Sequence, residues 1–251
     1  MRTRFWHHAI VVGASSGIGE AIARQLAESG CRVGLVARRT EELQRVADTV
    51  NALAGETRAV AFTHDVHCRS DVPALFQEIT GWLGGLDLVV YAAAVQPDVD
   101  PNEFNTDKDG EIIAVNLTGC IAWCNQAAIR FERVGSGSIV AIGSIAGDRG
   151  RRGAPAYGAS KSGLSTYLES LRNRLSVKGV RVTTVKPGFV DTRLTRGKSG
   201  LLWMISPDRA AALVLQAARK GNVVSYVPAG WRLVSLAVRL APSFLFRRLK
   251  V

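Results

Sequence analysis

The chain has 251 residues, of which 47% are hydrophobic and 21% are charged, so a wholly disordered or collagen-like protein is excluded. No uncharged apolar run reaches the roughly eighteen residues of a membrane-spanning helix, and the first residues do not resemble a secretion signal. The four cysteines lack the paired spacing of a zinc site and are few for a disulfide scaffold. We therefore expect a reducing, cytoplasmic compartment and no metal.

The net charge of +11 is concentrated near the C-terminal end. Through residue 191 the chain has 21 Lys and Arg against 20 Asp and Glu, whereas residues 192–251 have 11 basic residues and one acid, Asp208. A neutral body with a basic end predicts one localised anionic partner rather than diffuse binding to nucleic acid.

Short apolar runs alternate with amphipathic segments along the chain. The runs predict strands at residues 8–13, 32–37, 57–63, 86–91, 138–142, 180–186 and 223–227. The segments between them predict helices at residues 18–29, 41–53, 72–83, 108–133, 156–177 and 207–220. This pattern indicates an α/β fold of the doubly wound Rossmann type, with a seven-stranded parallel sheet and helices on both faces. No linker interrupts it, so we expect residues 1–251 to form one domain.

A glycine-rich turn, GASSGIG at residues 13–19, joins the first strand to the first helix. Glycine allows a tight turn and close approach of the backbone, and the N-terminus of a helix favours a pyrophosphate. A plain strand-to-helix turn also uses glycine, but the buried strand and the amphipathic helix on either side favour a nucleotide site. We expect cofactor contacts from Gly13, Ser15, Ser16, Gly17, Ile18 and Gly19.

The second predicted strand is followed by Arg38 and Arg39 and by no carboxylate. In dinucleotide-binding folds an acidic residue at this place binds the ribose 2′-hydroxyl, whereas arginine accommodates a 2′-phosphate. The planar guanidinium pairs strongly with phosphate. The sequence therefore favours NADP over NAD, and the alternative is that both arginines are solvated surface charges.

Tyr157 and Lys161 lie four residues apart on a predicted helix, and hence on one face of it. A free tyrosine has a pKa near 10, which is too high for efficient proton transfer at neutral pH, and a nearby ammonium lowers it. Hydride delivery to a carbonyl needs a proton donor for the alkoxide, which this pair would supply. The spacing is common by itself, and two unrelated surface residues are the alternative.

Taken together, these residues resemble the short-chain dehydrogenase/reductase family in its compact single-domain branch. The resemblance rests on the glycine turn, on Tyr157 and Lys161, and on four further motifs that occur within residues 8–192 in the family's order and spacing. These are Asp65-Val66 after the third strand, Val115-Asn116 in the long helix, Ser144 before the tyrosine, and Pro187-Gly188-x-Val190-x-Thr192.

The resemblance implies a role for each matching residue. Tyr157 would be the acid/base, and Lys161 would lower the tyrosine pKa and hold the nicotinamide ribose. Ser144 would bind the substrate oxygen, and Asn116 would hold a water that relays protons from the lysine. Further cofactor contacts would come from Asp65, Val66, Ala92, Ala93, Pro187, Gly188, Val190 and Thr192. The resemblance also suggests a homodimer or homotetramer built on the two long helices.

Structural roles are the alternative for several of these residues: a helix bend at Asn116, a strand end at Ser144 and a turn at Asp65. The chain also departs from the family pattern at two places. Val12 replaces a threonine before the first glycine, and Tyr-Ala-Ala-Ala at residues 91–94 replaces Asn-Asn-Ala-Gly. Replacing both partners of a buried hydrogen bond is nearly neutral, so we expect a repacked apolar core with residues 92–94 still close to the cofactor.

Residues 189–206 follow the sixth strand, where family members cover their substrate. Gly197 and Gly200 would let this segment open. Its apolar residues predict a hydrophobic carbonyl or alcohol substrate, and a segment that packs only on its own domain is the alternative. These residues are Leu194, Leu201, Leu202, Trp203, Met204 and Ile205.

The C-terminal tail, residues 231–251, mixes five basic residues with Trp, Leu, Val and Phe and contains no acid. This composition suits an anionic membrane surface, and packing on the core or on a sister subunit is the alternative. Pro242 would divide the tail into two short helices. We expect no binding to nucleic acid, because Leu and Val dominate over aromatic residues. The expected location is cytoplasmic, with peripheral membrane attachment if the tail binds lipid.

The function that these observations favour is NADP(H)-dependent transfer of hydride between nicotinamide and a carbonyl or secondary alcohol of a hydrophobic compound. The alternative is a non-catalytic NADP-binding protein or membrane-surface scaffold with the same fold. The intact set of Asn116, Ser144, Tyr157 and Lys161 favours the enzyme, since a protein that only binds the nucleotide would not require Ser144.

Overall fold

The computed structural model describes residues 5–100, 102–197 and 200–248. Seven parallel strands form one sheet in the order β3-β2-β1-β4-β5-β6-β7. The predicted doubly wound sheet is therefore confirmed. The strands are β1 (His8–Val12), β2 (Arg32–Ala37), β3 (Ala59–Thr63), β4 (Leu88–Tyr91), β5 (Gly137–Ile142), β6 (Val180–Pro187) and β7 (Val224–Val227).

Helices connect the strands and cover both faces of the sheet. They are α1 (Gly17–Glu28), α2 (Thr40–Ala54), α3 (Val72–Leu83), α4 (Thr106–Ile113), α5 (Cys120–Val134), α6 (Pro155–Leu175), α7 (Pro207–Arg219), α8 (Trp231–Leu240) and α9 (Ser243–Phe246). A π-helical segment, Ala114–Gly119, joins α4 to α5. Pro242 separates α8 from α9, which confirms the predicted division of the tail into two short helices.

The long helix predicted at residues 108–133 begins two residues earlier than expected. The side chain of Asn105 accepts hydrogen bonds from the backbone N–H groups of Asp107 and Lys108, so Asn105 caps α4. The helix ends before Gly135, which has the left-handed conformation (φ 76°) that favours glycine. A polar cap rather than the apolar pattern therefore sets the start of this helix.

Both faces of the sheet are buried at its central strands, and this explains why β1, β2, β4 and β5 are largely apolar. In β1, Ala9 and Val11 pack in one core cluster with residues of α1, α2 and α7. Ile10 and Val12 point to the other face and pack with residues of α3, α5 and α6. Alternate residues of one strand thus supply two separate cores.

The helical run Thr106–Val134 is, by its length and mean hydropathy of 1.4, apolar enough to cross a membrane. Trp123 and Phe131 on this run are, however, completely buried in the core beneath the sheet. We interpret the run as the core helix of a doubly wound domain.

The chain changes its direction of winding between β1 and β4, which pair directly. A crevice forms outside the carboxyl ends of strands at such a point, and ligands of open α/β sheets bind there. The backbones that leave the two strands stay close, because the N–H of Ala92 donates to the carbonyl of Val12 at 2.8 Å. The fold therefore brings the glycine turn and residues 92–94 to one place.

Candidate active site

A cavity of about 700 Å³ opens at this end of the sheet. It is lined by all the cofactor-binding and catalytic residues that the sequence predicted, except Asn116. The residues on its wall are Gly13, Ser15, Ser16, Gly17, Ile18, Gly19, Arg38, Arg39, Asp65, Val66, Ala92, Ala93, Ser144, Tyr157, Lys161, Pro187, Gly188, Val190 and Thr192.

The glycine turn has no room for side chains at two of its glycines. Gly13 has φ +88°, and a Cβ at this residue would overlap the backbone of Ala93. A Cβ at Gly19 would overlap the carbonyl group of Gly13 itself. Only glycine therefore allows this close packing of the turn, which leads on the cavity wall into the N-terminus of α1, a place that fits a pyrophosphate group.

Arg39 is bound to the glycine turn. Its Nη2 donates to the hydroxyls of Ser15 and Ser16, each at 2.8 Å, and its Nη1 donates to Glu42 Oε1 at 2.9 Å. Arg38 is less engaged, because its Nη1 lies 3.8 Å from Asp65 Oδ2 and about half of its side chain is exposed. Arg38 is therefore the freer of the two guanidinium groups.

Arg193 also lies on the cavity wall, as do Arg151 and Lys161, and no sequence motif predicted a role for Arg193. Its Nη2 lies 3.4 Å from Glu42 Oε1. A backbone hydrogen bond first, and then the charges of Arg39 and Arg193, hold the pKa of Glu42 below its ordinary value. The only signal in the sequence was the position of Arg193 directly after the Thr192 motif.

Asp65 has the structural role that the sequence analysis kept as an alternative, and it also lines the cavity. Its Oδ1 accepts a hydrogen bond from the backbone N–H of His67 at 3.0 Å and lies 2.7 Å from His67 Nδ1. These hydrogen bonds lower the pKa of Asp65 against the opposing effect of burial, which is the largest single cause. The carboxylate thus orders the turn after β3.

Tyr157 and Lys161 lie in the first turns of α6 and reach the same cavity. Lys161 is completely buried, and its Nζ lies 5.7 Å from the centre of the Tyr157 ring. The same Nζ donates to the carbonyl of Ile142, the last residue of β5, at 2.9 Å. The Ser144 hydroxyl forms a hydrogen bond with Tyr157 and accepts another from the N–H of Ala146 at 3.1 Å.

Burial governs the protonation of this pair. It raises the pKa of Tyr157, and the hydrogen bond with Ser144 and the charge of Arg151 only partly oppose it. It lowers the pKa of Lys161 to about 8. The phenol therefore keeps its proton at neutral pH. In this structure the Lys161 ammonium donates to the Ile142 carbonyl, and its predicted lowering of the tyrosine pKa stays a prediction.

Asn116 lies in the π-helical segment and is completely buried. Its Oδ1 accepts from the N–H of Val95 at 2.8 Å, and its Nδ2 donates to the carbonyl of Val95 at 3.0 Å. Nδ2 also lies 3.3 Å from Ser160 Oγ. Asn116 thus anchors the loop after β4 to the helix, at the kind of helix distortion that is frequent at functional sites. Its predicted role in holding a water stays a prediction.

Tyr91 shows that the departure after β4 is not purely apolar, as we had expected. The buried Tyr91 hydroxyl donates to the carbonyl of Val115 at 2.6 Å, in the π-helical segment where the regular helical hydrogen bonds are interrupted. The expected replacement of polar by apolar groups is therefore wrong for Tyr91. Ala92 and Ala93 do line the cavity, close to Gly13.

A buried polar cluster lies directly after Ser144, and no sequence motif indicated it. The carboxylate of Asp148 pairs with the ammonium of Lys186 on β6. Its second oxygen accepts from the Tyr226 hydroxyl at 3.1 Å and from the hydroxyl of Ser235 on α8. We call these four residues the Asp148 cluster. The cluster joins the segment that carries Ser144 to the C-terminal helix.

We expect Asp148→Asn to lower the free energy of unfolding by roughly 3 kcal/mol, because it leaves the ammonium of Lys186 buried without a counter-charge. Both side chains of this ion pair are almost inaccessible to solvent. Denaturant unfolding measures the change, and Glu28→Gln, which breaks the exposed Arg24–Glu28 pair, is the control with a loss below about 1 kcal/mol. Equal losses for the two variants would contradict the prediction.

The segment after β6 lines the cavity only through its first part, where Phe189 and Leu194 lie on the wall. Ile205 instead pairs with the backbone of this first part: its N–H donates to the carbonyl of Phe189 at 3.1 Å, and its carbonyl accepts from Asp191. Three residues that we had expected to cover the substrate are exposed to solvent. They are Leu202, Trp203 and Met204.

The described ranges contain no group of three or more His, Cys, Asp and Glu side chains that could hold a metal ion. The two cysteines one helical turn apart, Cys120 and Cys124, are buried with their sulfur atoms 3.7 Å apart. We interpret them as small core residues.

A family model described as short chain dehydrogenase matches residues 7–200, which include the glycine turn and all four predicted catalytic residues. The chain belongs to the short-chain dehydrogenase/reductase family. It is therefore an oxidoreductase of the family that uses NAD or NADP, and the predicted resemblance is confirmed.

Similar proteins agree with this assignment. An uncharacterised oxidoreductase from Streptomyces coelicolor is 34% identical over 247 residues, which cover 96% of this chain and 95% of that protein. Carbonyl reductase family member 4 of Xenopus tropicalis is 34% identical over 187 residues, or 74% of this chain and 77% of that protein. A solved structure from Sinorhizobium meliloti, provisionally named a short-chain alcohol dehydrogenase, has a TM-score of 0.81 and 26% identity, and the match covers 90% of this chain and 96% of that one.

Proposed function

We propose that this short-chain dehydrogenase/reductase is NADP(H)-dependent and transfers hydride between nicotinamide and a carbonyl or secondary alcohol group. One observation carries the proposal: Tyr157, Lys161 and Ser144 share a single cavity with the glycine turn and with four arginines, Arg38, Arg39, Arg151 and Arg193. Proton donor, oxygen-binding hydroxyl and nucleotide cradle are thus within one site.

The residues on the wall fit a dinucleotide. The glycine turn lies on the cavity wall at the N-terminus of α1, a place that fits a pyrophosphate, and Arg38 has donors left for a 2′-phosphate. Residues 187–192 would hold the nicotinamide end. When bound, the cofactor supplies the hydride.

The protein's own contribution is proton transfer and orientation at the substrate oxygen. The Tyr157 phenol, protonated because burial raises its pKa, donates its proton to the oxygen as negative charge develops there. The Ser144 hydroxyl orients both the phenol and the substrate oxygen. The buried Lys161 charge favours the phenolate that remains after proton transfer.

A hydrophobic substrate fits the remaining wall, to which Val95, Val99, Ile145, Phe189 and Leu194 contribute apolar side chains. The relative named carbonyl reductase supports reduction as the working direction. The test is a screen of ketones and aldehydes of increasing chain length, followed by NADPH absorbance. Reduction of the longer compounds supports the proposal, and no turnover with any of them, in either direction, contradicts it.

We expect the protein to bind NADPH more tightly than NADH, by about tenfold or more, since a charge-assisted hydrogen bond to the 2′-phosphate contributes roughly 1.5–3 kcal/mol. Arg38→Asp removes that donor and repels the phosphate, so it narrows or reverses the preference. Fluorescence titration with each nucleotide measures the two dissociation constants, for the unmodified protein and for the variant.

Arg45→Asp is the matched control for this substitution. Arg45 is as exposed as Arg38 and pairs with Glu20, but it does not line the cavity. The control variant keeps the preference for NADPH. Equal affinities of the unmodified protein for the two nucleotides would refute the choice of NADP.

Assembly as a homodimer or homotetramer through α5 and α6, and a cytoplasmic location, stay predictions from the sequence. Sedimentation of the purified protein tests the assembly.

A further inference from the structure

Helix α8 has an apolar residue on both of its sides at almost every turn. Trp231 and Ser235 are buried against the body of the protein. On the opposite side, Leu233, Leu236 and Leu240 follow each other at spacings of three and four residues and are 73%, 52% and 73% exposed. A helix that is apolar on both sides is typical of one that is covered on both sides. The inner side of α8 therefore packs on the body of the protein, and no residue that the structure describes covers its outer side.

Exposed apolar residues are concentrated in this part of the molecule. Among the described residues, sixteen large apolar side chains are exposed, and half of them lie in residues 202–204 and 233–245. The two segments meet where the Trp203 ring contacts the Trp231 ring at a centroid distance of 5.4 Å. We call this set the C-terminal apolar surface: Leu202, Trp203, Met204, Leu233, Leu236, Leu240, Phe244 and Leu245.

The charge beside these residues identifies the kind of partner. Arg232, Arg239, Arg247 and Arg248 are exposed on α8 and after α9, and none of them forms an ion pair with any residue that the structure describes. Leucine, tryptophan and unpaired arginine together suit the boundary between the acyl chains and the anionic headgroups of a bilayer. A symmetric contact between two copies would instead bring the same cations of each copy together, which is unfavourable.

The C-terminal apolar surface is firmly attached to the wall of the active site. Trp231 packs on Phe189, a residue of the cavity wall, at a centroid distance of 5.4 Å, and its indole fills the space beside Gly188. Arg149 donates to the carbonyl of Val238 at 2.6 Å, near the end of α8. Ser235 is part of the Asp148 cluster. A bilayer that binds this surface therefore lies beside the segment that borders the substrate cavity.

We propose that the C-terminal apolar surface docks the enzyme on an anionic lipid bilayer, and that its substrate is a carbonyl compound dissolved in that bilayer. The substrate class rests on the proposed function, whereas the docking does not. Trp203 is 60% exposed, and its ring contacts the ring of Trp231. It therefore lies where the docking surface meets the cavity wall.

Co-sedimentation of the full chain with vesicles tests the docking. We expect the protein to bind vesicles of phosphatidylcholine and phosphatidylglycerol. Its affinity for vesicles of pure phosphatidylcholine is lower by at least about tenfold. The variant Leu236→Glu/Leu240→Glu loses the binding. Leu53→Glu is its control, because Leu53 is 66% exposed but lies on α2, remote in sequence from the tail.

A second pair of variants tests the charge without touching the apolar residues. Arg239→Gln and Arg247→Gln each weaken binding to the anionic vesicles about fivefold, and Arg174→Gln on α6 leaves it unchanged. Absence of sedimentation, or equal binding to both kinds of vesicle, overturns the proposal. The proposal is also overturned if the unmodified protein is a dimer and Leu236→Glu/Leu240→Glu converts it to monomers. The surface would then be an interface between copies.

Turnover tests the substrate class separately. We expect Leu236→Glu/Leu240→Glu to reduce a long-chain ketone in anionic vesicles at least about tenfold more slowly, and to reduce a short water-soluble ketone at the unmodified rate. An equal loss on both ketones overturns the bilayer route. If the protein sediments with anionic vesicles but oxidises NADPH with neither ketone, the docking stands and the proposed function fails.

Discussion

Tyr157→Phe is expected to lower kcat for carbonyl reduction by about a thousandfold, since general acid catalysis contributes roughly 10²–10⁴ to such rates. The substitution removes only the hydroxyl that hydrogen-bonds with Ser144 and keeps the ring in its buried place. NADPH affinity therefore changes little. Stopped-flow or steady-state NADPH absorbance measures kcat, and nucleotide titration verifies that the cofactor site is intact.

Tyr167→Phe is the matched control for this experiment. Tyr167 lies on the same helix, and its hydroxyl donates to Asn125 Oδ1 at 2.9 Å, but it is not on the cavity wall. We expect its turnover to stay within about twofold of the unmodified enzyme, because no proton passes through this hydroxyl. Unchanged turnover of Tyr157→Phe with every accepted substrate would refute the catalytic assignment.

Lys161→Met is expected to lower kcat about a hundredfold and to remove one inflection from its pH profile. The pKa of Lys161 is about 8, because the buried ammonium has lost its hydration. In the unmodified enzyme the rate of reduction therefore falls as the pH rises through about 8 and the charge disappears. The variant has no charge at this position to lose, so its residual rate shows no fall there.

The same group gives a stability prediction whose sign follows from linkage. The pKa of Lys161 is 10.5 in the unfolded chain and about 8 in the folded protein, so the unfolded chain binds more protons between these values. The free energy of unfolding therefore rises with pH across this window, by about 3 kcal/mol relative to Lys161→Met. Urea unfolding of both proteins at pH 7 and pH 10 measures it, and parallel pH dependences would contradict the prediction.

Local patterns were enough to predict the architecture. The alternation of apolar runs with amphipathic segments predicted seven parallel strands, because a sheet covered on both faces favours apolar residues on both sides of its central strands. The short motifs were equally informative, since the glycine turn and the Tyr157–Lys161 pair each lie within a few consecutive residues. The residue at which a helix begins was less predictable. At the start of α4, the capping side chain of Asn105 decides the boundary.

What the sequence by itself determined about this protein is the order of its elements, its family and the residues that meet in the cavity. Only the tertiary structure decided which partner each of these residues takes. Lys161 directs its ammonium to the carbonyl of Ile142, and Arg39 takes the serine hydroxyls of the glycine turn. Those contacts join separate elements of the fold, and burial, which sets both active-site pKa values, is a property of all of them together.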